Sequence, residues 1–408
     1  MNGPRPYIPK VSGAFPASQP NKAHWPDELR IWWREIDRVF LALVLCLMLA
    51  GTVAVGSASP ASAERLSTTG VRLDEFLFLK QHVMWQLLGI AALFATSLLS
   101  RDHARRLGIV LAVTMLGLLV LVPFIGAEVN GARRWIYLGM RFQPSEFLKP
   151  GFAILLAWIL TWRLRDPGLP VIACVTGVMG LVALLLMMQP NLGDTLLFAG
   201  VWFVLVLLSG VSVQRISALV GFGIAALSAT YFLYDNARHR IDAFLGGGTA
   251  FDQVDLAERT LLAGGWTGSG LWLGVRKMSL PEAHTDYIFS VIGEEFGLIA
   301  CMIVVLLYLA IMLRVLLRLF DEENLFAMLA GAGLIAQIGG QAMINILVNL
   351  QLFPSKGMTL PLVSYGGSST IAVCITVGLL LAITRRNPYL KRETPGLIAL
   401  LGQRDEAA

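Results

Sequence analysis

The chain has 408 residues, 56% of them hydrophobic and only 14% charged, which is far from a soluble globular composition. Its length would suit two or three soluble domains, but repeated apolar runs read instead as one polytopic membrane domain. The net charge of +5 does not point to nucleic acid, because Lys and Arg are scattered through short loops with no basic stripe.

Residues 1–24, rich in Pro, Asn, Ser and Lys, read as a disordered tail. Leu29, Trp32, Trp33 and Ile36 then recur at i, i+3, i+4 and i+7, the pattern of an interfacial amphipathic helix or of an aromatic anchor for the first span. Ten apolar stretches follow, at roughly 39–58, 81–99, 106–126, 149–162, 169–188, 194–210, 216–234, 287–313, 326–349 and 367–384. The fourth is short enough to be tilted or partly buried in protein. Ala61-Ser62-Ala63 lends the first span a signal-peptide flavour, but its long leader and the spans that follow favour an uncleaved helix. Cys46, Cys174, Cys301 and Cys374 lie in apolar runs at unrelated spacings, with no disulfide framework or metal-ligand pattern.

Orientation follows from cations in short loops. Arg101, Arg105 and Arg106, then Arg163 and Arg165, Arg215, and Arg314 with Arg318 occupy alternate loops, and Arg385, Arg386, Lys391 and Arg392 continue that side. Both termini are therefore expected in the cytoplasm. The expected fold is an all-α polytopic membrane protein of about ten transmembrane helices, with a long extracytoplasmic loop between spans 7 and 8. Its parts are a cytoplasmic tail with the interfacial helix at 1–36, a ten-span domain at 37–384 containing the outer loop 235–286, and a cytoplasmic tail at 385–408.

Two outer segments break the cation rule. The 127–149 loop holds Arg133, Arg134, Arg141 and Lys149, and the 235–286 loop holds Arg238, Arg240, Arg259, Arg276 and Lys277. Long loops escape the rule, which accounts for the second segment better than for the first. Cations on the outer side, beside carboxylates at Glu282 and Asp286, suit the activation of a hydroxyl next to a polyanionic leaving group. Rival chemistries have less support. There is no GxxxxGK[ST] loop, Gly268-Ser269-Gly270 is a turn, His284 with Asp286 is a thin metal set, and no serine sits in a nucleophile elbow.

Specific motifs then accumulate in order: NGARRWIYLG at 130–139, QPSEFLKP at 143–150, QPNLGD at 189–194, RHRIDAFL at 238–245, GGWTGSG at 264–270, PEAHTDYIF at 281–289, EEFG at 294–297 and PSKGMTLPLVSYGGSS at 354–369. With these the chain resembles the SEDS family (shape, elongation, division and sporulation proteins). The resemblance implies a peptidoglycan glycosyltransferase that polymerises lipid II, a disaccharide-pentapeptide on undecaprenyl pyrophosphate. The tail and the GGWTGSG region are more similar to the division branch than to the elongation branch. The Asp of the PEAHTD motif falls on Asp286, the implied catalytic carboxylate.

In this reading Asp286 is the general base for the acceptor hydroxyl. Arg133, Arg134, Lys149 and Lys356 are candidates to hold pyrophosphate, with Arg238, Arg240, Glu282 and His284 as further substrate-binding candidates. Glu282 has the alternative of orienting the loop, and His284 that of hydrogen-bonding a backbone carbonyl. Glu294 and Glu295, about 100° apart on a helix, are not expected to line one site; one is expected to face the bundle interior, paired with a cation from a neighbouring span. The SYGGSS turn is expected to let the tenth span approach its neighbours closely.

The activated pyrophosphate needs no ATP, and a divalent cation (Mg or Mn) beside it is the one cofactor left room for. Implied partners are lipid II, a class B penicillin-binding protein acting as transpeptidase, and other division proteins, at the septal region of the bacterial inner membrane. Asn191 and Asp194 depart from the family pattern, as does VDLAERTLLA before GGW. Competing readings are a lipid II flippase, an elongation-type polymerase and a scaffold. A flippase would favour paired discontinuous helices and a midplane site.

Overall fold

The structure, a computed structural model, describes residues 25–68, 70–129, 132–137, 141–164, 166, 168–246, 252–354 and 357–386. The tail at 1–24 and most of that at 385–408 lie outside the described residues.

A short helix α1 (Trp25–Glu35) leads into α2 (Arg38–Leu66), which Asp37 caps by accepting the Phe40 N–H at 3.1 Å. At 1.5 Å per residue, α2 is about 44 Å long, enough to cross a hydrocarbon core. It is followed by α3 (Leu77–Ser97) and α4 (Arg101–Ile125), then by strands β1 (Ala127–Val129), β2 (Ala132–Tyr137) and β3 (Arg141–Phe142). Helices α5 (Pro144–Thr161), α6 (Val171–Met187), α7 (Leu192–Leu208), α8 (Val213–Leu233), α9 (Asp235–Phe244) and α10 (Asp252–Ala263) come next. The chain ends in α11 (Ile288–Phe320), α12 (Leu325–Asn349) and α13 (Gly367–Ile383).

Ten of these helices, α2 to α8 and α11 to α13, coincide with the ten expected spans, and the protein is an all-α polytopic membrane protein. Helices α2, α3, α4, α11 and α12 are each long and apolar enough to cross a membrane. The long loop between α8 and α11 carries α9 and α10. The 127–149 loop holds a small antiparallel meander in the order β1-β2-β3.

Helices α5, α12 and α13 form the interior. Most of their residues are buried, and α3 packs on α13, α4 on α5, and α5 and α7 on α12. Gly151 lets α5 lie against the Ala112 backbone, where a Cβ would stand 2.6 Å from the Ala112 nitrogen. The short fourth span is thus a protein-buried helix.

The four-residue apolar face that runs through α1 to Ile36 divides. Trp32 and Ile36 are buried, and Trp32 Nε1 donates to Ser97 Oγ at 3.2 Å, whereas Leu29 and Trp33 stay exposed. The exposed pair is the edge left free for lipid, and the buried pair is held by protein. Nearby, Asp37 accepts from Arg314 at 2.8 Å and Arg318 at 2.7 Å, tying the α1–α2 turn to the end of α11.

The eighth span is interrupted rather than continuous. Gly297 has φ +80° and ψ 176°, a combination open essentially to glycine alone. The GGWTGSG loop supplies the missing backbone bonds. Ser269 and Gly270 N–H donate to the Glu294 and Glu295 carbonyls at 2.8 and 3.0 Å, and Leu298 N–H donates to Gly265 at 2.9 Å.

Candidate active site

The PEAHTD segment lies between the first turns of α3 and α11, the last turn of α12 and the 357–366 stretch. Three successive carbonyls are tied down. His284 C=O accepts Tyr365 N–H at 2.9 Å, and Thr285 C=O accepts Ser364 Oγ–H at 2.6 Å. Asp286 C=O accepts Asn345 Nδ2 at 2.8 Å and Asn349 Nδ2 at 3.1 Å. The Asp286 side chain is half-buried, and a Cβ on Gly357 would lie 3.1 Å from its Oδ2. Its carboxylate is therefore held against the 357–360 strand of chain while water still reaches it.

Glu282 is exposed at φ +52° and accepts Thr285 Oγ1–H at 2.8 Å, while its carbonyl takes the Thr285 and Tyr287 N–H groups. That geometry shapes the turn leading to Asp286. His284 is buried between Phe78, at 4.2 Å between ring centroids, and Tyr365, at 5.3 Å. Its Nδ1 has no hydrogen-bond partner among the described residues. Burial pushes the imidazole down to about 4, against the opposing pull of Glu282, so the ring is neutral at ordinary pH.

Lys149 does not point a spare charge at an anion. It is 3% exposed, lies 2.7 Å from Glu146 and 3.2 Å from Asp194, and donates to Gln341 Oε1 at 3.1 Å. An ammonium buried this deeply needs compensating charge, and two carboxylates supply it. Asp194 also accepts from Ser145 at 2.9 Å and from Asn191 Nδ2 at 2.7 Å. Asn191 caps α7 while Asp194 is a partner of Lys149, so the two departures from the family pattern form one unit.

The remaining cations separate. Arg134 donates to the Gln189 carbonyl at 3.0 Å and to that of Pro190, holding the QPN turn. Arg133 is exposed, 3.4 Å from Glu128. Arg238 is exposed on α9, 3.9 Å from Asp242. Lys356 and the Arg240 side chain lie outside the described residues. Arg141 on β3 is exposed and donates to Tyr137 Oη at 3.1 Å. Burial raises the Tyr365 phenol above its ordinary range, while Trp85 and Arg141 pull it down.

Glu294 and Glu295 have structural partners, as expected over catalysis, but both serve the same loop, which was not expected. Glu294 accepts the Arg276 and Lys277 N–H groups at 2.6 and 2.8 Å. Glu295 accepts Trp272 N–H at 2.5 Å and pairs with the Lys277 ammonium. The loop curls around the α11 terminus, so side chains about 100° apart both meet it. The paired cation comes from this loop and not from a neighbouring span.

Sequence reading missed the polar face of α12. Gln337, Gln341, Asn345 and Asn349 recur every fourth residue and are all buried, so they share one side of an apolar helix. Four amides at that spacing inside a span were the available signal.

Residues 37–389 match the family described as Cell cycle protein, FTSW_RODA_SPOVE. A probable peptidoglycan glycosyltransferase FtsW of Caulobacter vibrioides is 34% identical over 362 residues, covering 88% of this chain and 92% of that protein. The protein of the same name from Methylococcus capsulatus is 36% identical over 370 residues, covering 85% and 89%. Among solved structures, Thermus thermophilus rod shape determining protein RodA aligns with a TM-score of 0.63 at 29% identity, over 88% of this chain and 99% of that one. A chain from a structure titled for coordination of polymerization and crosslinking by a peptidoglycan synthase complex aligns at 0.69 and 28% identity, covering 86% and 97%.

Proposed function

The chain belongs to the FtsW, RodA and SpoVE family of cell cycle proteins, the SEDS family, and from that membership we propose how it works as a peptidoglycan glycosyltransferase of the division type. It is a multi-pass membrane enzyme that polymerises lipid II. The observation that carries the mechanism is the half-buried Asp286, held by three anchored carbonyls beside Gly357.

The acceptor sugar's 4-hydroxyl gives its proton to the Asp286 carboxylate as its oxygen bonds to the donor's anomeric carbon. The bond from that carbon to the pyrophosphate oxygen breaks, and undecaprenyl pyrophosphate leaves with the electron pair. Exposed Arg133 and Arg141, with Lys356, stabilise the charge on that leaving group. Lys149 supports this surface from below as part of a buried ion cluster, and Arg134 does so by holding the QPN turn. Among the described residues no set of three or more His, Cys, Asp or Glu gathers as a metal site. A divalent cation on a pyrophosphate needs only one or two carboxylates beside the phosphate oxygens, a role open to Asp286, and no step is routed through one.

The active face lies on the outer side of the bacterial inner membrane at the septum, with both termini cytoplasmic and a class B penicillin-binding protein as the transpeptidase partner. The flippase reading finds a discontinuous helix in α11, but the break at Gly297 is filled by the chain's own GGWTGSG loop.

The test is Asp286→Ala, purified beside wild type and assayed for lipid II polymerisation. Loss of a positioned base lowers turnover by roughly 10²–10⁴-fold. Near-normal turnover would remove Asp286 from the mechanism.

A further inference from the structure

We propose that Asn345 and Asn349 of α12 are positioning residues for the base, acting through its main chain; this rests on Asp286 being that base. Both side chains are almost fully buried, at 2% and 0% exposed. An amide inside an apolar span is costly unless its hydrogen bonds are made. Here they are made to a particular pair of targets.

Asn345 Nδ2 donates to Asp286 C=O at 2.8 Å and to Met358 C=O at 2.6 Å. One side chain thus staples together the two pieces of chain that flank the carboxylate. Asn349, one turn further, donates to the same Asp286 carbonyl at 3.1 Å. Its Oδ1 accepts Ser290 N–H at 3.2 Å and Ser290 Oγ–H at 2.7 Å. Ser290 is in the first turn of α11, where its N–H is shared with the Tyr287 carbonyl at 3.1 Å, so Asn349 fixes the α11 terminus and Asp286 together. Gln341 continues the ladder, from Thr359 C=O at 3.0 Å to Lys149.

Ordinary helix-to-helix adhesion would spend both amides on a neighbouring span, as Asn349 does in part with Ser290 of α11. Asn345 instead spends both of its interelement donor bonds on carbonyls beside the base. The arrangement sets the gap between Asp286 and the 357–360 stretch, and so the aim of the carboxylate at the acceptor hydroxyl. Small misplacements of a reacting group carry large rate costs.

The test compares Asn345→Ala, Asn349→Ala and Asp286→Ala as purified full-length proteins, measuring kcat and KM for lipid II and the melting temperature. For Asn345→Ala, kcat falls by about 10²-fold with KM within about twofold of wild type. Asn349→Ala loses on the order of tenfold, because Asn345 still holds the shared carbonyl, and this variant carries the test if Asn345→Ala fails to fold. Wild-type kcat in a folded variant, or a loss confined to KM, overturns the proposal. If Asp286→Ala is dead while the Asn variants turn over normally, positioning falls and the base stands. If Asp286→Ala is active, the base assignment itself falls.

Discussion

Lys149 Nζ stands 3.2 Å from Asp194 Oδ1, joining α5 to α7 through two side chains almost wholly removed from solvent. With Glu146 at 2.7 Å, the cluster holds one cation and two carboxylates. Breaking such a buried set by deleting its cation costs about 3–5 kcal/mol. Lys149→Met is therefore expected to lower the melting temperature in detergent sharply. Asp194→Asn added to it restores part of the loss by removing an uncompensated charge. Lys149→Arg recovers only some stability, since a planar fork does not fit a cavity shaped for a point charge. An unchanged melting temperature in Lys149→Met would show that the cluster carries no such weight.

Gly297→Ala tests the break in α11. The glycine's φ of +80° with ψ of 176° costs a residue with a side chain roughly 1–3 kcal/mol in backbone strain. An added Cβ would also run into the Trp266 carbonyl and the Gly268 nitrogen. The expected result is a destabilised protein whose GGWTGSG loop is cut faster by protease than in wild type. Wild-type cleavage would mean that the loop is held independently of this close approach.

The membrane architecture was legible because its cause is local. A run of apolar residues long enough to cross a bilayer announces itself, and all ten helices fall where such runs do. Asp286 was legible from its motif. The partners of buried charges were not, because Lys149, Asp194 and Gln341 lie on three helices far apart in sequence. Asn345 and Asn349 were hidden differently: the amides recurring along α12 mark a polar face, but nothing local says which carbonyls they meet. The division of Trp32 from Trp33 depends on what α1 packs against, which periodicity alone does not contain.

His284 gives the protein a pH signature. Its folded value of about 4 lies below the ordinary histidine value, so the unfolded chain takes up a proton first as pH falls. The stability it contributes is complete above about pH 6.5 and declines as pH drops toward the folded value. Melting temperatures measured from pH 7 to pH 4 should fall less steeply for His284→Asn than for wild type. Parallel curves would show that the imidazole is not held neutral by burial.

Sidedness decides whether Asp286 can meet a substrate whose sugars lie outside the membrane. Ser269, in the loop held by α11, and Ser212, the residue before α8, are both exposed. They lie on opposite sides of the α8 span, so one reagent can distinguish them. Each is changed to cysteine in turn, in a background lacking Cys46, Cys174, Cys301 and Cys374. An impermeant thiol reagent added to intact spheroplasts should label position 269 and spare position 212, while lysed cells label both. The positive-inside count supports that orientation, since Arg163 and Arg215 share the Ser212 side. The reverse pattern would put the 280–287 segment in the cytoplasm, away from the outward-facing sugars, and an extracytoplasmic polymerase built on Asp286 could not stand.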